Sequence, residues 1–544
     1  MKTNKNSLVI LTVTFFFTSL SLSGCDFSEA EDALSNFDVI ISLEEVNSYV
    51  ALTVVDGQTG NFVQQQVNLA FFGQDSDAVI DMFSDPVTDL SVSGGIGSFG
   101  IRNALVPSDS NPIEVRVQVE AQDYEPNSVT IALTKTGQTD ARIYLFREIQ
   151  GIPGSETGTN SGNIGSGGVV LEDIEARTLP NPMNQAQATV SVRAGTQGTT
   201  ATGESASGEL SVEIVYFTAN SSSTAVVFPG GFRGTVETLD GTLEQVSFTT
   251  AGFMSVTATD SNGNEITQFN PPIELSMEVA PNTINGHTGS PVSTGDAIDF
   301  YSYSETGGYW VEEGESTLVG PGSNGNYTVK FLTSHLSTWS AGYVDRGCDS
   351  GVFSIQRNGN TAAITARAFS VSGGWFGSSV VIPSGESDLT ILNAPSHLTD
   401  FEVVFEVNGQ EQTIQRNTGI CGATGAVAFD SPINVIDVHF ALDLGDACEA
   451  LKLNDVPAFT IFHKRQGEPD VSTTSVTTQP IFHLDELGRI TGGEITIPGL
   501  ELGLTYTFYT TINNERAERD ILIEGSEMFF DLSEDVFESD ICAN

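Results

Sequence analysis

Apolar and polar positions alternate along most of the chain. Val50, Leu52 and Val54 keep a period of two, "DGQTGN" interrupts them, and Val63, Val67, Leu69 and Phe71 follow. Ile113, Val115, Val117 and Val119 share one face of a later run, and "GFMSVTATDSNGNEI" reads as a hairpin turning at 260–263. A two-residue period places successive side chains on opposite faces of a strand, and Gly, Asn and Asp clusters supply turns. "VVIPSGESDLTI" and "ITIPGLELGLTYTF" each set Ile-Pro before an alternating run, which suggests a diverged internal repeat. Helical spacing is sparse. The expected fold class is all-β, with tandem β-sandwich modules (Ig-like or transthyretin-like) joined by linkers.

Two stretches depart from the alternation. Residues 148–168, "EIQGIPGSETGTNSGNIGSGG", carry no core-forming pattern and read as a Gly/Ser/Thr linker. Residues 7–22 are an apolar run behind Lys2 and Lys5, the arrangement of a secretory signal. No other stretch approaches the ~18 apolar residues of a membrane span. A chain of 544 residues is long enough for three or four domains at ~150 residues each. The expected division is a signal at 1–24, an acidic tether at 25–37 and a first sandwich at 38–147. The linker at 148–168 follows, then a second sandwich region at 169–345 and two disulfide-closed β domains at 346–436 and 437–544.

The charge narrows the partners. Seventy Asp and Glu against 21 Lys and Arg give a formal net charge of −49. Nucleic-acid binding rests on cations that neutralise phosphates, so nucleic acid is excluded as a partner. The acidic surface keeps an exposed protein dispersed, especially in salty water.

The apolar run ends in Leu22-Ser23-Gly24-Cys25, which resembles the lipobox of bacterial lipoproteins. That resemblance implies cleavage before Cys25, diacylglycerol on its sulfur and an acylated amino terminus. Several acyl chains together give stable anchoring, at ~0.8 kcal/mol per buried methylene. Asp26, Glu29, Glu31 and Asp32 follow. An aspartate behind the cysteine resembles an inner-membrane retention signal in some bacteria, and an acidic tract resembles a surface-export signal in others. The extracellular character of the remainder favours the outer membrane, facing outward, with the membrane as a partner through the anchor.

Residues 45–146, with "LTVVDGQTGNFVQQQVNLAF", "GSFGI" and "EVRVQVEAQDYEPNSVTIAL", resemble the carboxypeptidase-regulatory-like β-sandwich. They depart from it by an insertion around "GQDSDAVIDMFSDPVTDLSVSGG", and the resemblance implies a spacer or scaffold. The stretch 169–344 resembles a β-sandwich of cartilage-intermediate-layer-like and related bacterial surface proteins. Gly295, Asp296, Glu305, Thr306, Gly307, Trp310, Glu313, Gly314, His335, Ser337 and Trp339 carry that likeness.

Cys348, Cys421, Cys448 and Cys542 lie in the last two hundred residues, and an even number in an exported chain reads as disulfides. Sequence order favours Cys348 with Cys421 and Cys448 with Cys542. No CxxC spacing supports a metal site, and no cofactor motif is present. "DSNGNE" at 260–265 has calcium-like oxygen spacing but lacks a distant bidentate Glu, so a turn is the simpler reading.

His335-Leu336-Ser337 resembles the self-cleaving tripeptide of certain adhesion-receptor β-sandwiches, which would place a cut between Leu336 and Ser337. The competing reading has the histidine and serine hydrogen-bonded to each other beside a buried Trp339. Trp375 and Phe376, in "SGGWFGSS", are candidate binding aromatics, or else strand residues entering the core. Together these features point to a non-catalytic, lipid-anchored surface protein with a glycan or an envelope protein as partner. A self-cleaving protein or an unrecognised hydrolase is the alternative.

Overall fold

The computed structural model describes residues 46–531, apart from 444–459, 477–480, 485–489 and breaks of one to four residues elsewhere. The signal run, Cys25, the acidic tether, Cys348, Cys448 and Cys542 lie outside the described residues. The described chain is almost entirely strand and turn, and its α-helix is the short Ser222–Ala225.

The first sandwich pairs two four-stranded sheets. One runs Val79–Ile80, Ile96–Ile101, Ser48–Asp56, Gly137–Leu145; the other runs Asp89–Val92, Val67–Phe72, Ile113–Ala121, Asn127–Leu133. Val50, Leu52 and Val54 from one sheet meet Leu69, Val115, Val117 and Val119 from the other, so the alternation becomes the core. The stretch expected as an insertion supplies an edge strand to each sheet, Val79–Ile80 and Asp89–Val92.

The second module holds a five-stranded and a seven-stranded sheet. Within the larger one, Arg233–Glu237 pairs with both Tyr309–Thr317 and Leu243–Asp260. These three strands close a ring with Ala297–Ser304 and Thr338–Asp345. The 18-residue strand Leu243–Asp260 reaches around the ring because its register shifts between Thr250 and Gly252.

The expected linker is corrected here. Ser155–Asn163 is an edge strand, antiparallel to Glu209–Thr218 from Ser155↔Phe217 to Asn163↔Glu209. Its glycines answer a packing demand rather than a need for swing: a Cβ on Gly158 would stand 2.2 Å from the Arg177 carbonyl oxygen of the facing sheet. The turn at 260–263 closes a short hairpin as expected: Thr259 bridges Glu265 antiparallel, and the Ile266 amide donates to the Ala258 carbonyl at 2.8 Å. Beyond it the chain crosses between layers, since Leu243–Asp260 belongs to the seven-stranded sheet and Gln268–Val279 to the five-stranded one. The Asp260 carboxylate fixes the turn, accepting from the amides of Asn262 at 2.9 Å and Asn264 at 3.0 Å.

The third module packs a three-stranded against a four-stranded sheet, and the last packs two four-stranded sheets. Strand Val435–Asp443 runs straight through the boundary expected at 437 and belongs to the last module. In the first, third and last modules the opening strand lies parallel to the closing one: Ser48–Asp56 on Gly137–Leu145, Gly351–Gln356 on Thr424–Ala428, Val435–Asp443 on Glu527–Asp531. The repeat is therefore one of topology and includes the first module. The two Ile-Pro dipeptides are not equivalent in it: Ile382 ends the edge strand Val380–Ile382, whereas Ile497 lies inside the longer strand Ile490–Glu501, paired with Val438.

The modules share cores. Along Glu209–Thr218, Leu210, Val212, Ile214 and Tyr216 enter the core between the second module's sheets, while Val215 and Phe217 enter another. That other core joins Phe248, Phe253 and Trp310 to Phe353, Phe401 and Phe405 of the third module. Ala51, Val55, Phe62 and Ile96 of the first module bury against Phe462 and Tyr509 of the last. The Arg516 guanidinium lies over both rings, 4.9 Å from Phe62 and 4.3 Å from Tyr509.

Candidate functional site

Where the first three modules meet they leave a cleft of about 1350 Å³. The first module contributes Lys135 and Tyr144 to its walls, the second Ser222 and Phe232, the third Phe376 and Asp388. Ties across the module boundaries hold the walls. The Gly230 amide donates to the Ser128 carbonyl at 3.0 Å, Arg233 pairs with Glu114, and Lys135 pairs with Glu386. Burial lowers the Arg233 guanidinium to about 10, still charged at neutral pH.

Trp375 does not present its ring for stacking. It is 3% exposed, its indole Nε1 donates to Ser247 Oγ at 3.0 Å, and it meets Phe401 edge-on at 5.4 Å. The candidate binding role for Trp375 is corrected: a large apolar ring gains more from the shared core than from a polar loop. Neighbouring Phe376 is half-buried on the cleft wall, between Phe232 at 5.7 Å and Phe369 at 6.1 Å. The Gly/Ser text around these rings is a clamp. The Gly374 amide donates to the Ala219 carbonyl at 2.9 Å, and the Thr250 amide donates to the Gly374 carbonyl at 2.8 Å.

His335 and Ser337 lie at the second crossing between the layers of the second module, beside the first. The Leu336 amide donates to the Thr267 carbonyl at 2.9 Å. Ser337 Oγ donates to the Tyr303 carbonyl at 2.7 Å and accepts from the Tyr303 amide at 3.2 Å. His335 Nε2 faces Glu313 at 3.6 Å, and its ring lies 5.0 Å from that of Trp339. No hydrogen bond joins His335 to Ser337, and neither residue has a positive φ. Both expectations for the tripeptide are corrected, because each side chain is engaged elsewhere and the hydroxyl has no base on it. Trp339 is buried as expected.

Cys421 is exposed and disulfide-bonded. Among the described residues no group of three or more His, Cys, Asp or Glu is placed to hold a metal, and no helix is long and apolar enough to cross a membrane.

A polar node between the first and last modules was not legible in the sequence. Arg142 Nη2 donates to the Thr473 carbonyl at 3.0 Å, and Ser475 Oγ donates to Asp140 Oδ1. Burial raises the Asp140 carboxyl to about 6, against the opposing hydrogen bonds of Ser475 and Gln138. Close by, His463 is held down to about 4 by burial among Tyr506 and Phe508. No local pattern announces partners more than 330 residues apart in the chain.

No family model matches the chain, and no curated protein matches it. Among solved structures, the Bacillus anthracis TIE protein is similar at 9% identity over 90% of this chain and 73% of that one, with a TM-score of 0.13. A streptococcal ancillary pilin is similar at 9% identity over 45% and 94% of the two chains, with a TM-score of 0.12. The pilus backbone of Streptococcus pneumoniae is similar at 9% identity over 48% and 92%, with a TM-score of 0.11. At these scores the likenesses carry no argument, and the fold class rests on the strands and sheets themselves.

Proposed function

We propose that the chain is a lipid-anchored, surface-exposed β protein that works without catalysis and captures a glycan in the cleft among its first three modules. The observation that carries this reading is the cleft of about 1350 Å³, walled by three modules at once. Ligand sites favour such boundaries, where two or more rigid bodies supply groups to one cavity. Its walls mix hydroxyls and amides, such as Ser222, Asn220 and Thr134, with the aromatic edges of Tyr144 and Phe376. Neutral sugars use that combination. The charges on the walls nearly balance, with Lys135, Arg142, Arg233 and Arg367 against Asp140, Glu386 and Asp388, which suits a neutral ligand. Anchoring through Cys25 to the outer membrane, and pairing of Cys348 with Cys421 and Cys448 with Cys542, complete the proposal.

The test is a glycan array probed with the mature protein and with Ser222→Trp, which adds a bulky ring at an exposed wall position. Capture in the cleft predicts a wild-type ligand whose binding falls at least about tenfold in the variant. A wild-type protein that binds no glycan, or a variant that binds equally well, overturns it.

A further inference from the structure

The Asp140 node deserves a role beyond holding two modules together. It lies where strand Gly137–Leu145, an edge of the first module, meets Thr474–Val476, an edge of the last. The contact leaves a small cavity of about 10 Å³, lined by Ala51, Thr53, Asp140, Arg142, Thr473 and Ser475. Three buried polar atoms at this contact have no partner among the described residues: Asp140 Oδ2, Arg142 Nε and Thr473 Oγ1. A buried polar atom without a partner costs free energy, and the cavity has room for about one water molecule with those three groups around it.

We infer that the joint between the first and last modules is a proton-governed latch, closed while Asp140 carries a proton and loosened when it ionises. The protonated carboxyl is a donor as well as an acceptor, so it can satisfy Oδ2 through Thr473 Oγ1 or a water in the cavity. The carboxylate cannot donate, and it places charge on Oδ2, an oxygen buried at the contact although Asp140 also lines the cleft.

The groups that face Asp140 limit how far this goes. On its own side, Arg142 and Lys135 are cationic and favour ionisation, as do the hydrogen bonds from Ser475 and Gln138. The paired strand Ser48–Asp56 offers Ala51 and Thr53, the last module places the Thr473 and Ser475 hydroxyls at the cavity, and the third module brings Glu386 and Asp388 to the same cleft wall as Asp140. The adjoining strand Ile461–Arg465 carries His463, which packs on Tyr506 and Phe508 and is held neutral by burial, and Lys464 and Arg465, which pair with Asp470 and Glu501. Burial of Asp140 outweighs the groups that favour its charge, and its carboxyl titrates near 6 instead of 3.8. The closed joint therefore holds its proton more tightly than the open one. Closure is fully favoured below the ordinary carboxyl range and weakens as pH rises through about 6.

Asp140 itself stands on the cleft wall with Gln138 and Arg142, so release of the latch reaches the cleft. The latch itself stands on the node alone, whatever the cleft binds.

Hydrogen exchange on the full chain tests it, with peptides covering 137–145 and 473–476 followed from pH 4.5 to 8 and corrected for intrinsic rates. The latch predicts that opening of both peptides rises by on the order of 10- to 100-fold, with a midpoint near 6. Asp140→Asn should remove the pH dependence. Ser475→Ala, which removes a donor to the charged form, should move the midpoint upward. Opening that is independent of pH in the wild type, or a midpoint unmoved by both variants, overturns the latch.

Discussion

Trp375 Nε1 donates a hydrogen bond to Ser247 Oγ at 3.0 Å, across the boundary between the third module and the long strand of the second. The ring around that nitrogen is part of the core that both modules share. Trp375→Ala should therefore destabilise the protein by about 3–5 kcal/mol, the range for removing a buried aromatic side chain. Trp375→Phe retains a ring and should cost less than the alanine variant. Urea denaturation measures both. A loss below about 0.5 kcal/mol for the alanine variant would mean that the ring is exposed.

Gly374 has φ +86°, and a Cβ there would stand 2.6 Å from the Thr250 carbonyl oxygen. Backbone cannot yield as a side-chain tip can. Gly374→Ala is expected to lower stability by more than about 1 kcal/mol, through strain in the left-handed region and the forced separation of the clamp. The denaturation midpoint checks this, and an unchanged midpoint would contradict the close approach.

The strands and their faces were legible in the sequence wherever one face meets a core and the other meets solvent, as with Val115, Val117 and Val119. The pattern said less where a sheet is covered on both sides. In "EIVYFT" the apolar residues run together because Ile214 and Tyr216 serve one core while Val215 and Phe217 serve another. That consecutive run was the available signal for modules that share cores. Residues 155–163 misled for the opposite reason: small polar residues suit a flexible tether, and they also suit a close-packed edge strand. Trp375 sits in equally loop-like text, and nothing local shows that its loop is inserted into a neighbouring module. Asp140 and Ser475 were unreadable because only the fold brings them together.

At the tripeptide 335–337, the serine hydroxyl is held by both backbone groups of Tyr303. The purified mature chain should run as a single full-length band on a denaturing gel, and Ser337→Ala should run identically. The variant should lose about 0.5–1.5 kcal/mol, since a half-buried amide and carbonyl lose a partner. Fragments that meet between Leu336 and Ser337 would contradict this geometry.

With a net charge of −49, the modules repel one another across their joints. Salt shortens the screening distance from about 10 Å at 0.1 M to about 3 Å at 1 M. The melting temperature at pH 8 should rise between those concentrations. A fall would mean that the cross-module ion pairs, Arg233 with Glu114 and Lys135 with Glu386, outweigh the general repulsion.

The most direct measurement of the shared cores is native-state hydrogen exchange compared between strand Glu209–Thr218 of the second module and strand Phe401–Val407 of the third. A single core predicts that their slowest amides open with the same free energy, and that Trp375→Ala lowers both together. Two separate opening energies, with the substitution felt only in the third module, would contradict it.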